Sequence, residues 1–436
     1  MLMASLFSLG LAPVQAAELS IPHDLYTLEN GLTVILHEDH DLPLVQVNVW
    51  YHVGSKDEEQ GRSGFAHLFE HLMFQGSKHV QGEYFEHLQK VGGSINGTTN
   101  GDRTNYFEKV PSEHLPLALW LEADRMGWLL EALTQEKLDN QREVVKNERR
   151  QSYENRPYGT SWMTLMEALY PTDHPYEHTT IGSHEDLSAA NLDDVKNFFR
   201  TWYVPNNASL VVAGDFDPDT AKALVEQYFG PIKSGEEPTP RTDEMFALEE
   251  DIEIRQNEAG VPFQKVWIAW PSAPLYAEGD AELDLLTSVL SGGKDSRLDR
   301  VLVHEKQIAK SVSAAQVSRR LTSMYMIQAT AAEGHTTDEL VAEIDAILRE
   351  VAAEAPTADE VEIGRTTWEA RFVRDLQSLH SRANQLNSYF VLTGQPDSIE
   401  MDLGRYGAVT PEAIQQAAAG LAEAKRVTLH IHPEAE

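Results

Sequence analysis

One order of secondary-structure elements occurs twice along this chain, and that doubling limits the possible folds more than any single motif. In YTLENGLTVILHEDHDLPLVQVNVWYHVGS, Asn30-Gly31 lies between two alternating runs, the strongest short-range sign of a hairpin. Val45, Val47, Val49 and Tyr51 carry the period of two into a further strand. A helix is expected over about 64–75, with Ser63 at its N-cap and Gly76 past its end. More helices run to about 203, followed by a strand at 208–216 and a last helix at 218–229. The stretch PIKSGEEPTPRTDE, 231–244, has neither period and reads as a linker. Beyond it the order returns: strands DIEIRQ and VPFQKVWIAW, then a helix AELDLLTSVLSGG that ends in glycines, as the first half's helix does. Near the end Thr410 and Pro411 start a helix before the strand RVTLHIH, as LDDVKNFFRTWY precedes ASLVVAGDF. The expected fold is α+β, with two tandem homologous domains, each a mostly antiparallel sheet with helices packed over it. Their expected bounds are 18–230 and 246–436, joined by a linker at 231–245.

With 436 residues, 42% of them hydrophobic, the chain is too apolar for disorder. A net charge of −34 argues against binding a phosphate backbone, so nucleic acid is not an expected partner. An acidic surface attracts cationic peptides, and it equally serves plain solubility. The chain has no cysteine, which excludes disulfides, thiolate ligands and a cysteine nucleophile together. Any metal site must use His, Asp and Glu. Residues 1–17 form an apolar run with a small-residue cleavage site at Val14-Gln15-Ala16 and read as a signal peptide, although no Lys or Arg precedes the run. No later segment approaches the roughly 18 unbroken apolar residues of a membrane span.

The chemistry centres on HLFEH, residues 67–71. On a helix, His67 and His71 stand one above the other and can aim both imidazoles at one point, with Glu70 near the same face. The order of the usual metalloprotease helix is inverted here, and the geometry still works. An exposed amphipathic helix would give the same letters. A catalytic zinc needs a third protein ligand and one open position. The candidate is Glu148, in a helix beginning at Thr134 whose inward side is marked by Leu138, Val144 and Val145. A carboxylate on that side needs a partner, which is either a metal or one of Arg149, Arg150 and Arg156. His174 and His178 are also four apart, but Pro175 makes them loop residues. Aligning the second half's helix on the first by their terminal glycines puts Asp284, Thr287 and Ser288 opposite His67, Glu70 and His71, so no zinc triad survives there.

With these residues the chain resembles a pitrilysin-family metallopeptidase, an inverzincin, over nearly its whole mature length. The likeness rests on HLFEH followed by Glu148, at an interval of 148 − 71 = 77 residues, close to that of the family's third ligand. It implies one zinc per chain held by His67, His71 and Glu148, with Glu70 as general base towards a zinc-bound water. The stretch GGSINGTTNGDRTNYFEKVP, 92–111, resembles the family's sheet-edge segment that pairs with an extended substrate, which would place Asn96, Gly97 and Thr98 along the peptide. A turn-rich region with no ligand is the alternative. Two departures stand out. Gln141 occupies a place where many members carry glutamate, and Val303 and Lys310 occupy the places of an arginine and a tyrosine that catalytically complete members supply from a C-terminal repeat. This pattern resembles the zinc-bearing subunit of bacterial two-chain members and the β subunit of mitochondrial processing peptidase. It implies a heterodimer with a second pitrilysin-like chain carrying the Arg/Tyr pair, or otherwise a homodimer, enclosing a chamber between four domains. The expected activity is zinc-dependent endopeptidase cleavage of peptides or unfolded segments, after export to a bacterial periplasm. The alternative is a non-catalytic peptide-binding or structural subunit of a larger assembly.

Overall fold

The computed structural model of the protein describes residues 19–239, 241 and 245–434, so the expected signal peptide at 1–17 lies outside the described residues. The first sheet is built from β1 (Asp24–Thr27), β2 (Thr33–Glu38), β3 (Leu44–Tyr51), β4 (Ser94–Thr99), β5 (Thr104–Pro111) and β6 (Ala208–Gly214), in the order β1-β2-β6-β3-β5-β4. The Asn30-Gly31 hairpin is present, with Thr27 opposite Thr33. Only the β2–β6 ladder is parallel. The helices of this half are α1 (Phe65–Leu72), α2 (Tyr84–Gln89), α3 (Leu115–Trp128), α4 (Gln135–Arg149), α5 (Ser161–Leu169), α6 (His184–Ala189), α7 (Leu192–Trp202) and α8 (Pro218–Phe229).

The second half repeats the plan. Its sheet takes β7 (Ile252–Glu258), β8 (Lys265–Ser272), β9 (Ala309–Val317), β10 (Ser323–Ala331) and β11 (Val427–Pro433) in the order β7-β11-β8-β10-β9, again with one parallel ladder, β7–β11. Its helices are α9 (Asp280–Ser291), α10 (Thr337–Ala353), α11 (Ala358–Asp375), α12 (Leu379–Thr393), α13 (Ile399–Ala408) and α14 (Pro411–Glu423). Two tandem α+β units with mostly antiparallel sheets are therefore what the chain folds into. Among the described residues no helix is long and apolar enough to cross a membrane.

Valines 45, 47 and 49 and Tyr51 point from β3 into a core completed by Phe65, Leu68, Phe69 and Leu72 of α1 and by Leu115, Ala118 and Leu119 of α3. Two of the alternate residues of β3, Gln46 and Asn48, are polar, yet both are fully buried. The reason lies in the other half of the chain. Ala383, Leu386 and Tyr389 of α12 pack against Ile35, Val211 and Ala213 on the far face of the first sheet. Asn387 meets the polar residues there, with Nδ2 donating to the Asn48 carbonyl at 3.0 Å and Oδ1 accepting from Ser209 Oγ at 2.7 Å. Helix α5 does the reverse. Leu165, Met166 and Leu169 pack on Trp267, Ala269, Leu429 and Ile431 of the second sheet. Each sheet thus borrows a covering helix from the opposite half.

Candidate active site

The helix carrying HLFEH is shorter at both ends than the expected 64–75. Its N-cap is Gly64, at φ +89°, and not the expected Ser63. Ser63 turns away because its hydroxyl and its N–H both donate to Asp186 Oδ2, at 2.5 and 3.0 Å. Phe65, Ala66, Leu68, Phe69 and Leu72 are buried, which turns His67 and His71 to the remaining side of α1. Their ring centroids lie 4.8 Å apart, edge to face.

Helix α4 begins as expected at Thr134, whose hydroxyl accepts from the Lys137 N–H. Leu138 and Val145 are buried, but Val144 is 41% exposed and does not mark the inward side. Adjacent helical residues point about 100° apart, and here the helix is turned so that Val145 faces the core and Val144 the outside. Glu148, three residues after Val145, stands at the rim with its side chain 41% exposed. Its Oε2 lies 3.3 Å from Nε2 of His67 and 3.3 Å from Nε2 of His71. Arg149 instead pairs with Glu154 and donates to the Gly182 carbonyl, and Arg150 donates to Asn147. The partners of Glu148 are the two imidazoles.

These separations suit a metal. Four ligands at about 2.05 Å around a tetrahedral zinc sit about 3.3 Å from one another. The donor set of two imidazole nitrogens and one carboxylate oxygen is that of a catalytic zinc site with a position left open. Burial works against the charged His67 imidazole, but Glu148 and Glu70 outweigh it and hold the ring up at about 9. Hydrogen bonds from His67 and then His71 hold the Glu148 carboxyl far below the usual carboxylate range.

Glu70 lies beside the trio, with Oε2 3.6 Å from His67 Nδ1 and accepting from Thr99 Oγ1 at 2.6 Å. It therefore abuts β4, the outermost strand of the sheet. Gly97 is what lets the strand come so close. A Cβ there would lie 3.1 Å from Glu70 Cγ and 3.2 Å from both Phe74 and Tyr106. The Gly97 N–H is taken by Asn96 Oδ1 at 2.9 Å, so it points out of the β4–β5 ladder. Residues on either side of an outward one turn inward, and Asn96 and Thr98 stand opposite Phe107 and Asn105 of β5. Of the three residues expected along a peptide, only Gly97 turns its backbone to the open edge. Thr99 is a site residue that the sequence reading misses, although a period of two along the strand places it on the same face as Gly97.

The remaining expected positions lie apart from the trio or beside it without charge. Gln141 is buried two turns before Glu148, its amide donating to Asn140 Oδ1. Val303 sits in a π-helical stretch, Asp299–Glu305, and packs on the second core. Lys310 on β9 holds its ammonium 3.8 Å above the Phe263 ring. Neither offers a guanidinium or a phenol. His174 and His178 lie in the irregular stretch after α5, where His174 Nδ1 accepts from the Tyr176 N–H. In the second half, Glu253, Asp338 and His430 also converge, but Arg255 pairs with both carboxylates.

A family model described as Insulinase (Peptidase family M16) matches residues 33–180, and one described as Peptidase M16 inactive domain matches 189–367. The zinc protease PqqE of Helicobacter pylori is 29% identical over 373 residues, covering 85% of this chain and 83% of that one. A crystal structure of a protease from Helicobacter pylori superposes with a TM-score of 0.88 at 26% identity, covering 95% of this chain and 100% of the other. The periplasmic protease PqqL of Escherichia coli shares the fold, with a TM-score of 0.78 at 17% identity; the match covers 95% of this chain and 48% of PqqL.

Proposed function

The chain belongs to the M16, or pitrilysin, family of peptidases, and from that premise we propose that it is a zinc-dependent endopeptidase acting on peptides or unfolded segments. The observation that carries the proposal is the convergence of His67, His71 and Glu148, with Glu148 Oε2 3.3 Å from Nε2 of each imidazole, a separation suited to two ligands of one zinc, and with Glu70 alongside. His67, His71 and Glu148 hold one zinc per chain. When bound, that ion supplies a Lewis acid that polarises the scissile carbonyl and acidifies water.

The rest is done by this chain's own groups. Glu70 accepts the proton of the attacking water and then delivers it to the leaving amine, which a carboxylate can do when held still beside both. The Thr99 hydroxyl holds the Glu70 oxygen it donates to. An extended substrate adds to the open edge of β4, meeting the outward Gly97 backbone, while Asn96 and Thr98 shape the strand from within. Backbone pairing of this kind is the same for every peptide sequence.

The second half brings neither guanidinium nor phenol to the places of Val303 and Lys310. A second pitrilysin-like chain carrying that Arg/Tyr pair, or otherwise a second copy of this chain, completes the site. PqqL, of which this chain matches about half, supports a site built from two such lengths. Its periplasmic location and the apolar residues 1–17 support export of this chain.

The test is cleavage of a quenched fluorescent peptide library by the zinc-loaded chain, alone and mixed with a chain bearing the Arg/Tyr pair. Turnover in the mixture that Glu70→Gln abolishes is the expected result. Activity of the chain alone would remove the need for a different partner, and full activity of Glu70→Gln would refute the mechanism.

A further inference from the structure

Helix α1 begins without a side-chain cap, because Gly64 has none to give and Ser63 is committed to Asp186. A helix start leaves its first N–H groups without partners. Here they are met from six residues upstream. Glu58 curls back so that Oε2 accepts from the Gly64 N–H at 2.9 Å and Oε1 accepts from the Ala66 N–H at 2.7 Å. Its side chain is wholly buried, and both oxygens accept from this one helix end, with His178 Nδ1 a further 3.7 Å from Oε2. Burying a carboxyl group is costly unless its oxygens are hydrogen-bonded, and here the two amides of α1 do that.

Ala66 immediately precedes His67, and α1 is only eight residues long. The rotation and depth of its first turn therefore decide where both imidazoles point.

We infer that Glu58 is a positioning residue of the metal centre: by gripping the Gly64 and Ala66 amides it sets α1 so that His67 and His71 present Nε2 to the metal opposite Glu148. This rests on the metallopeptidase reading. Glu58 touches neither metal nor substrate and acts through the helix. Glu59, the next residue, is exposed and serves as the control.

The experiment measures zinc affinity by competition with a chromophoric chelator, the melting temperature of the zinc-free chain, and kcat and KM at saturating zinc. In Glu58→Gln one carbonyl oxygen replaces two acceptors and an NH2 opposes an amide N–H. Its zinc dissociation constant should rise about 10- to 100-fold, the range seen when groups that orient metal ligands are removed. Its kcat should fall with KM within about twofold, and Glu59→Gln should behave as wild type. Glu58→Asp keeps the charge but is one methylene short, and should lie between Gln and wild type in zinc affinity. It also carries the test if the Gln variant does not fold. Wild-type zinc affinity and kcat in folded Glu58→Gln or Glu58→Asp would overturn the inference alone. A wild-type chain that takes up no zinc would overturn the metallopeptidase reading, and this inference with it.

Discussion

Helices α1 and α4 in the first half and α9 and α11 in the second occupy matching places in the two repeats, yet they meet in opposite ways. Between α1 and α4 stand two imidazoles and a carboxylate, with oxygen and nitrogen atoms 3.3 Å apart. Between α9 and α11 the gap is closed. Gly364 of α11 lies against Ser288, the residue in the place of His71, so closely that a Cβ on it would be 3.1 Å from the serine's own. Asp284, in the place of His67, accepts from the Tyr406 hydroxyl at 2.6 Å. An arginine of α13 ties that helix to α9 beside this contact: Arg405 pairs with Asp280 of α9 at 3.0 Å and with Asp402 of its own helix at 2.9 Å. One frame therefore supports either a gap lined by two imidazoles and a carboxylate or a closed contact, and chemistry depends on which residues are grafted onto it.

The contrast between the halves can be broken at several points. The largest expected effect is in the first half, where Glu70→Gln should lower kcat by about a thousandfold or more while zinc stays bound, within the range assigned to a general base together with its positioning. Peptide hydrolysis and metal analysis on one preparation would decide it, and loss of zinc along with activity would show that Glu70 acts on the metal site.

Arg405→Ala should do the converse. It leaves Asp280 and Asp402 buried without their cation, at a cost of about 3 kcal/mol in urea unfolding of the metal-free chain. Zinc affinity should stay within about twofold, and a marked weakening would mean that the halves are coupled.

A smaller effect depends on pH. Burial, with the charge of Asp280 adding to it, raises the Asp284 carboxyl to about 6 against the opposing Tyr406 hydroxyl and Arg405. The folded state thus binds this proton more tightly than the unfolded chain does. The stabilisation it gives is present below the unfolded value near 4 and is lost as pH rises through about 6. Asp284→Asn should remove that decline, gaining about 2 kcal/mol on wild type between pH 4 and 7. A pH-independent difference between the two proteins would refute the assignment.

The smallest effect is at the substrate edge. Gly97→Ala introduces a Cβ that Glu70, Phe74 and Tyr106 must each yield a few tenths of an ångström to admit. Overpacking of this size should cost about 1 kcal/mol, roughly a fivefold loss of kcat/KM with zinc affinity unchanged. An unchanged kcat/KM would show that the strand is not held against Glu70 during turnover.

Much of this is legible in the letters, for reasons that differ by element. Helix α8 spans the expected 218–229, since Asp217 caps it and Pro218 opens it, both local signals. The start of α4 is readable at Thr134 for the same reason. Ser63 misleads because a side chain that can cap its own helix is claimed by Asp186, 123 residues away. Val144 misleads because two adjacent apolar residues suggest one face, and only the packed helix shows which of them is inside.

Period, capping and the four-residue spacing of His67 and His71 are properties of a few neighbouring residues, and they act through backbone torsions whatever the rest of the chain does. They give two like halves, and two imidazoles on one side of a helix in the first of them. Three things needed the folded chain: Glu148 reaching both imidazoles from 77 positions along the chain (148 − 71), the exchange of α5 and α12 between the sheets, and the closure of the second gap by Gly364. Each is a meeting of distant surfaces, decided by how the whole apolar area packs and not by any local pattern.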